Sequence, residues 1–297
     1  QPQALHLLGV IAFQGGDNEK AIELIEKALA IHPDFAEAHN NLGLVQKKLG
    51  NTDEAFSSFQ RAIVLKPDYA EANNNLGNLY RDLEKLKEAA DSYQKALKFK
   101  PDFPQAHSNL GAVFRDLGRL NEAVTSCQKA IDLDPSLEEA HFNLGNIFND
   151  LKQKREAIKS YKKALAIRPQ HAEAHNNLGN LHMEFGELEE AADSYQMAIA
   201  IQPELPFFHN NLGLAYKFLG RQEDALECFK IEIEVNPDYA EAHYRIGIQL
   251  ADLGKSDQAI TSYQRALSLE PDNIKFHNDL GNSLKDLGRL EEAVATY

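Results

Sequence analysis

Asparagine recurs at Asn41, Asn75, Asn109, Asn143, Asn177 and Asn211, always 34 residues apart. A primary amide carries an N–H donor and a carbonyl acceptor together, so it can pair with a peptide bond whatever side chain that peptide bears. Six such amides in register would grip an extended strand by its backbone, each hydrogen bond contributing about 0.5–1.5 kcal/mol net. The chemistry implied is recognition of moderate affinity and wide sequence tolerance. A structural alternative stands beside it, in which the same amides bond between adjacent elements or face solvent. The series stops at Leu7, Arg245 and Asp279, which centres any shared groove on the middle units.

Seven histidines keep a second phase: His39, His107, His141, His175, His209, His243 and His277. A metal site needs ligands converging to about 2 Å from one ion. Equivalent residues of neighbouring units stand about 8–10 Å apart, so these histidines are read as half-buried packing residues whose protonation softens stability. Cys127 and Cys228 are the only cysteines and supply neither a disulfide framework nor a metal motif. No Gly-rich phosphate loop, Ser–His–Asp arrangement or metal-spaced cluster occurs. The expectation is therefore a chain that is not itself an enzyme, with no cofactor and no metal.

Charge narrows the partners. Lys and Arg number 31 against 45 Asp and Glu, a formal net charge of −14. Such a surface is a poor match for phosphate backbones or anionic lipid, which bind through Lys and Arg. Nucleic acid and membrane are set aside. No apolar run approaches the roughly 18 residues of a membrane span, and Gln1-Pro2-Gln3 has no signal-peptide character. A reducing, cytoplasmic setting is the resulting expectation.

The elements that must position these residues are marked by helix breakers. Pro33, Pro67, Pro101, Pro135, Pro169, Pro203, Pro237 and Pro271 are each 34 residues apart, and so are the nine glycines from Gly9 to Gly281. A second glycine series includes Gly16, Gly50, Gly118, Gly186, Gly220, Gly254 and Gly288. A fixed period of this length marks an array of one supersecondary unit. Each unit reads as two helices. After the repeat proline, Asp34/Glu37, Asp68/Glu71, Ser136/Glu139 and Asp238/Glu241 have capping-box spacing. Pro104 and Pro206 are placed just inside a helix start, where a missing N–H does no harm. The second glycine series fits a left-handed C-terminal cap. Ala72, Leu76, Leu79 and Leu83 make an apolar stripe on the first helix. Alanine at nine equivalent positions from Ala21 to Ala293 marks where helices approach closely.

This unit, with Leu-Gly in the first helix, two alanines and an aromatic in the second and a closing proline, resembles the tetratricopeptide (TPR) repeat. The resemblance covers the chain as a single array over 1–297. Eight full units start near Pro2, Ala36, Ala70, Pro104, Glu138, Ala172, Pro206 and Ala240, and a partial ninth starts at Ile274. It implies an all-α fold, a right-handed α-solenoid of helix–turn–helix units. It also implies that the polar face of the first helices lines a concave groove. That face carries the asparagine series with Asn78, Asn146, Asn180 and Asn282, and further along Lys47, Arg81, Arg115, Lys217 and Lys285. The mixed charge around Lys47, Arg81 and Arg115 reads equally as a solvated edge. The seventh unit departs from the pattern, with Glu232 in an alanine phase and Phe207-Phe208 where Glu-Ala is usual.

Asparagine ladders in a long array further resemble the substrate-binding arm of O-linked N-acetylglucosamine transferases, in which the ladder grips the backbone of the protein to be modified. The resemblance extends to an acidic series, Glu37, Glu71, Glu139, Glu173 and Glu241, although capping accounts for these as well. The catalytic domain of such an enzyme is not in this sequence, and the break at Tyr297 within a second helix reads as a piece of a longer protein. A clamp for a C-terminal carboxylate needs groove lysines in successive units, where this chain has mostly Asn, Ser or aromatic residues. The expected function is a module that binds an extended peptide or flexible protein segment. The alternative is a scaffold that self-associates through its repeat ends or faces.

Overall fold

The structure, a computed structural model, describes residues 1–297. Its elements are helices joined by short turns, in tandem pairs as the spacing of the breakers predicts. Contacts group them into two units. In Gln1–Ile167 the first helices of each pair are α1 (Pro2–Gln14), α3 (Ala36–Lys48), α5 (Ala70–Asp82), α7 (Pro104–Asp116) and α9 (Glu138–Asp150). Their second helices are α2 (Asn18–Ile31), α4 (Thr52–Leu65), α6 (Leu86–Phe99), α8 (Leu120–Leu133) and α10 (Lys154–Ile167). In Arg168–Tyr297 the first helices are α11 (Ala172–Phe185), α13 (Phe208–Phe218), α15 (Ala240–Asp252) and α17 (Ile274–Asp286). They pair with α12 (Leu188–Ile201), α14 (Gln222–Val235), α16 (Ser256–Leu269) and α18 (Leu290–Thr296).

Pairing rests on small residues. Ala55, Ala89, Ala123, Ala157 and Ala191 are all fully buried, so the two helices of a pair meet with no large side chain between them. The facing glycine of the first helix admits the aromatic ring beside that alanine. A Cβ at Gly145 would stand 2.6 Å from the Tyr161 ring, inside van der Waals contact. Layers then stack first helix on first helix: α1 on α3, α3 on α5, α5 on α7 and α7 on α9, and in the second unit α11 on α13 and α15 on α17.

The turn inside each pair uses the left-handed backbone region. Gly50, Gly118 and the other glycines of that series have φ between 72° and 85°, which closes the helix as expected. Two units lack the glycine, and Glu84 (φ 58°) and Lys152 (φ 62°) are held in the same conformation, at a cost of about 1 kcal/mol each relative to glycine.

Helix starts differ from the sequence expectation. The residues that precede α3, α5, α9 and α15 are Phe35, Tyr69, Leu137 and Tyr239, and none makes a side-chain capping bond. The capping boxes do not form. Asp34 and Asp238 lie one residue too early and pair instead with Arg61 at 2.8 Å and Arg265 at 3.1 Å. Glu37 and Glu71 pair with Lys66 at 3.2 Å and Lys100 at 2.7 Å. Burial decides the boundary: Phe35 packs on the Ala21, Ile25 and Ala38 cluster, which fixes where the helix begins. Pro104 opens α7 as expected, whereas Pro206 falls outside α13, because Phe207 adopts φ 75° and the helix begins at Phe208.

That irregular start explains the seventh unit. Glu232 of α14 is fully buried, and its carboxylate accepts hydrogen bonds from the backbone N–H groups of Phe207 (2.7 Å) and Asn210 (3.1 Å). A buried charge is tolerated where it meets such donors at a helix N-terminus. The Glu232 and Phe207-Phe208 departures are therefore one local solution.

Candidate functional site

The six ladder asparagines sit half-buried on successive first helices. Five of them reach back one layer. Asn75 Nδ2 donates to Asn40 Oδ1 at 2.9 Å, and Asn109 Nδ2 to Asn74 Oδ1 and Asn78 Oδ1, each at 3.2 Å. Asn143 Nδ2 donates to Ser108 Oγ at 3.1 Å, and Asn211 Nδ2 to Asn176 Oδ1 at 2.9 Å. Asn41 Nδ2 donates to His6 Nε2 at 2.7 Å. Asn177 is half-buried on α11 and partnered. Each of these five reaches the residue one position before the ladder phase in the preceding unit, and Asn109 and Asn211 also reach Asn78 and Asn180, so the Nδ2 of each amide stitches the layers.

What the stitch leaves over is specific. The Oδ1 atoms of Asn75, Asn109 and Asn143 accept no hydrogen bond within the protein and are not sealed from solvent. Asn75 also keeps a second N–H, whereas the Nδ2 groups of Asn109 and Asn143 each meet two acceptors. Held through Nδ2, each amide plane is oriented and its carbonyl is left over.

The other amides have a different setting. Asn78, Asn146 and Asn180 accept the hydroxyl hydrogens of Tyr93 (2.7 Å), Tyr161 (2.6 Å) and Tyr195 (2.8 Å), and Asn282 accepts that of Tyr297 (2.9 Å). Their carbonyls satisfy phenols from the second helix, so they tie a pair together and are not free ladder members. A sequence signal existed for this. The residue fifteen before each of these tyrosines is asparagine, whereas Phe59, Cys127 and Phe229 in the same phase are preceded by Leu44, Ala112 and Leu214. Burial pushes the Cys127 and Cys228 thiols up to about 12, as packed thiols require.

The basic residues are placed at the edge. Lys47 pairs with Asp82 at 2.8 Å and Arg115 with Asp150 at 2.5 Å, each to the next first helix, while Arg81 is half-buried without an ion pair. Exposed pairs of this kind contribute about 0–1 kcal/mol.

All seven periodic histidines do one thing. Each Nε2 lies 2.7–3.3 Å from the carbonyl of the repeat proline six residues earlier. A carbonyl only accepts, so Nε2 carries the proton and donates. The histidine phase clamps the turn between pairs, a role that the coincidence of two separate periods, proline and histidine, encodes. Burial is the main cause holding His107 below its usual value of 6.5, against smaller raising effects of the Pro101 carbonyl and Asp102. Burial likewise lowers His6, opposed by Glu37. With folded values below 6.5, the unfolded chain binds more protons, so stability is full above about pH 6.5 and falls as pH drops from there towards the folded values. The melting temperature is expected to decline between pH 7 and 5.5, and less steeply in His107→Gln; calorimetry showing a flat or rising profile contradicts this.

Comparison with known proteins places these features. A family model described as the cilia and flagella-associated protein 70 C-terminal domain matches residues 103–297. A TPR repeat model matches residues 9–50 and 77–115, and a tetratricopeptide repeat model matches 36–69. Curated protein sequences give no match. Among solved structures, a chain of the APC/C hetero-tetramer Cut9–Hcn1 is similar, with a TM-score of 0.66 and 19% identity over 90% of this chain and 52% of that one. The present chain thus spans about half of its length. PilF of Pseudomonas aeruginosa is similar with a TM-score of 0.63 and 20% identity, over 68% of this chain and 92% of that one. At these identities both speak to the fold alone. MamA has a TM-score of 0.53 and 28% identity, over 56% of this chain and 97% of its own. No helix is long and apolar enough to cross a membrane.

Proposed function

We propose, from the premise that this chain belongs to the tetratricopeptide repeat family and is a protein-interaction module, that the amide seam of its first helices holds the backbone of an extended protein segment. The observation that carries this reading is the set of unpartnered, solvent-reaching carbonyls on Asn75, Asn109 and Asn143, each fixed by a stitch on its other side. Successive first helices stand about 8–10 Å apart, which is about three residues of extended chain. One amide carbonyl per layer therefore meets one residue in three and accepts from its backbone N–H. Recognition of this type reads no side chains. Asn41, Asn177 and Asn211 extend the same phase, and Lys47, Arg81 and Arg115 flank it.

The test uses labelled flexible peptides. Methylating the backbone nitrogen at every third residue is expected to weaken binding about tenfold or more, in one of the three possible registers, while scrambling the side-chain order leaves affinity within a factor of about three. Equal binding of methylated and unmethylated peptides in all registers excludes backbone capture. The finer reading, that the seam is the targeting arm of a protein glycosyltransferase in the cytoplasm, rests on the ladder's resemblance; it predicts that acceptor proteins of such an enzyme compete with the peptide. A self-associating scaffold instead predicts mass growth with concentration in light scattering without any ligand.

A further inference from the structure

Three departures from the repeat converge on one place in the second unit. Position 249 is a core phase filled by Val45, Leu79, Val113, Ile147 and Leu181 in other units, and here it is Gln249. Position 245 is the ladder phase, and here it is Arg245. Position 275 is the phase of Glu37, Glu71, Glu139, Glu173 and Glu241, and here it is Lys275. All three line a cavity of about 210 Å³ between α13, α15 and α17.

A stitch is missing between two of the same helices, α13 and α15. With arginine in the ladder phase, Asn210 Oδ1 has no amide to accept from and is buried without a partner, as is Arg245 Nε. Lys217 also lines the cavity. It occupies the phase of Lys47 and Arg115, whose counterparts close ion pairs across their seams, yet Lys217 forms no ion pair with Asp252. The Lys275 ammonium lies 4.5 Å from the centre of the Tyr244 ring. One carboxylate, Glu241, faces these cations and pairs with an η nitrogen of Arg245 at 2.7 Å.

Gln249 gives the cavity its direction. It is 1% exposed, and both its Nε2 and Oε1 lack any partner. A buried amide left unsatisfied is a standing cost, and the earlier units show that a hydrocarbon fits the same position, at Val45, Leu79, Val113, Ile147 and Leu181. Three cations against one carboxylate, with unpaired Gln249 and Arg245 N–H donors, describe a receptor for an anionic group in a chain whose overall charge is −14. We infer, on the premise that the first helices hold an extended segment, that this cavity takes the side-chain carboxylate of an acidic residue of such a segment bound along Arg168–Tyr297. Lys217, Arg245 and Lys275 supply the field. The Gln249 N–H donates to the carboxylate and its carbonyl accepts from a peptide N–H beside it. The seam thereby gains one side-chain preference in an otherwise sequence-tolerant track.

The experiment compares two labelled flexible peptides that differ only in a single Glu or Gln, by fluorescence anisotropy at fixed salt. The wild-type chain is expected to bind the Glu peptide about tenfold more tightly, the ratio of a charge-assisted hydrogen bond. Lys275→Glu and Gln249→Leu restore residues that other units carry, so folding is expected to survive and is checked by thermal melting. In both, the Glu-to-Gln ratio should fall towards one. Equal binding of the two peptides by the wild-type chain overturns the acidic pocket while leaving the backbone seam intact, and a Gln249→Leu chain that keeps the full ratio overturns it too. Binding of neither peptide overturns the seam and the pocket together.

Discussion

Replacing Asn75, Asn109 and Asn143 together by alanine is expected to weaken binding of a flexible peptide by about a hundredfold, with little change in melting temperature. Each amide would give up hydrogen bonds worth about 0.5–1.5 kcal/mol, so three give roughly 2–4 kcal/mol. Stability responds differently because two effects oppose each other. The stitch to the layer behind is lost, and its acceptors on Asn40, Asn74 and Ser108 are buried, a cost of about 1 kcal/mol each. Alanine meanwhile favours a helix interior over asparagine by about 0.6 kcal/mol. Anisotropy and circular dichroism on the same variant separate these quantities. Retained affinity means that the amides serve the layers alone; lost affinity with a collapsed melting temperature means that the stitch dominates.

Glu232→Ala is expected to destabilise the chain by about 2–4 kcal/mol, measured by urea unfolding. Alanine fills this phase at Ala28, Ala62, Ala96, Ala130, Ala164, Ala198 and Ala266, so a repeat consensus would favour the change. The buried carboxylate, however, receives the N–H groups of Phe207 and Asn210, and hydrogen bonds to a charged group contribute about 1.5–3 kcal/mol each. Its removal strands both donors and leaves a cavity where the side chain was. Phe207, left-handed at φ 75° with its ring edge-on to Tyr239 at 4.9 Å, loses what holds it there. Glu232→Gln keeps one acceptor oxygen and is expected to recover part of the loss. A neutral or stabilising Glu232→Ala would show that the seventh unit starts its first helix without this contact.

The helix pairs were legible because proline, glycine and alanine act through backbone geometry and contact distance, which are local and recur with the unit. Pro33 and Gly50 mark their breaks whatever surrounds them. The helix starts were less legible. Asp34 and Glu37 have capping-box spacing, but the buried ring of Phe35 sets the boundary, and burial is a property of the neighbouring unit. The ladder phase was visible in Asn75 and Asn109, yet its partners were not, since the stitch depends on Asn40 and Asn74 in the layer before. Glu232 and Phe207 each read as an anomaly until contact between α13 and α14 joined them. Gln249 drew no notice at all, because a single polar residue on a helix carries no signal until its phase is aligned with Val45, Leu79 and Leu181.

The stitch from Asn40 to Asn75 and from Asn74 to Asn109 runs one way, with the donor always on the later layer. Each 34-residue block thus carries the acceptor for its successor and the donor for its predecessor. Copying a whole block in tandem preserves every joint, whereas gaining or losing any other number of residues severs the joints on both sides. Such an array can change its reach over evolutionary time only in whole-block steps, and a block that departs from the shared joinery, as the one with Tyr244 and Arg245 does, fixes a landmark along an otherwise interchangeable track.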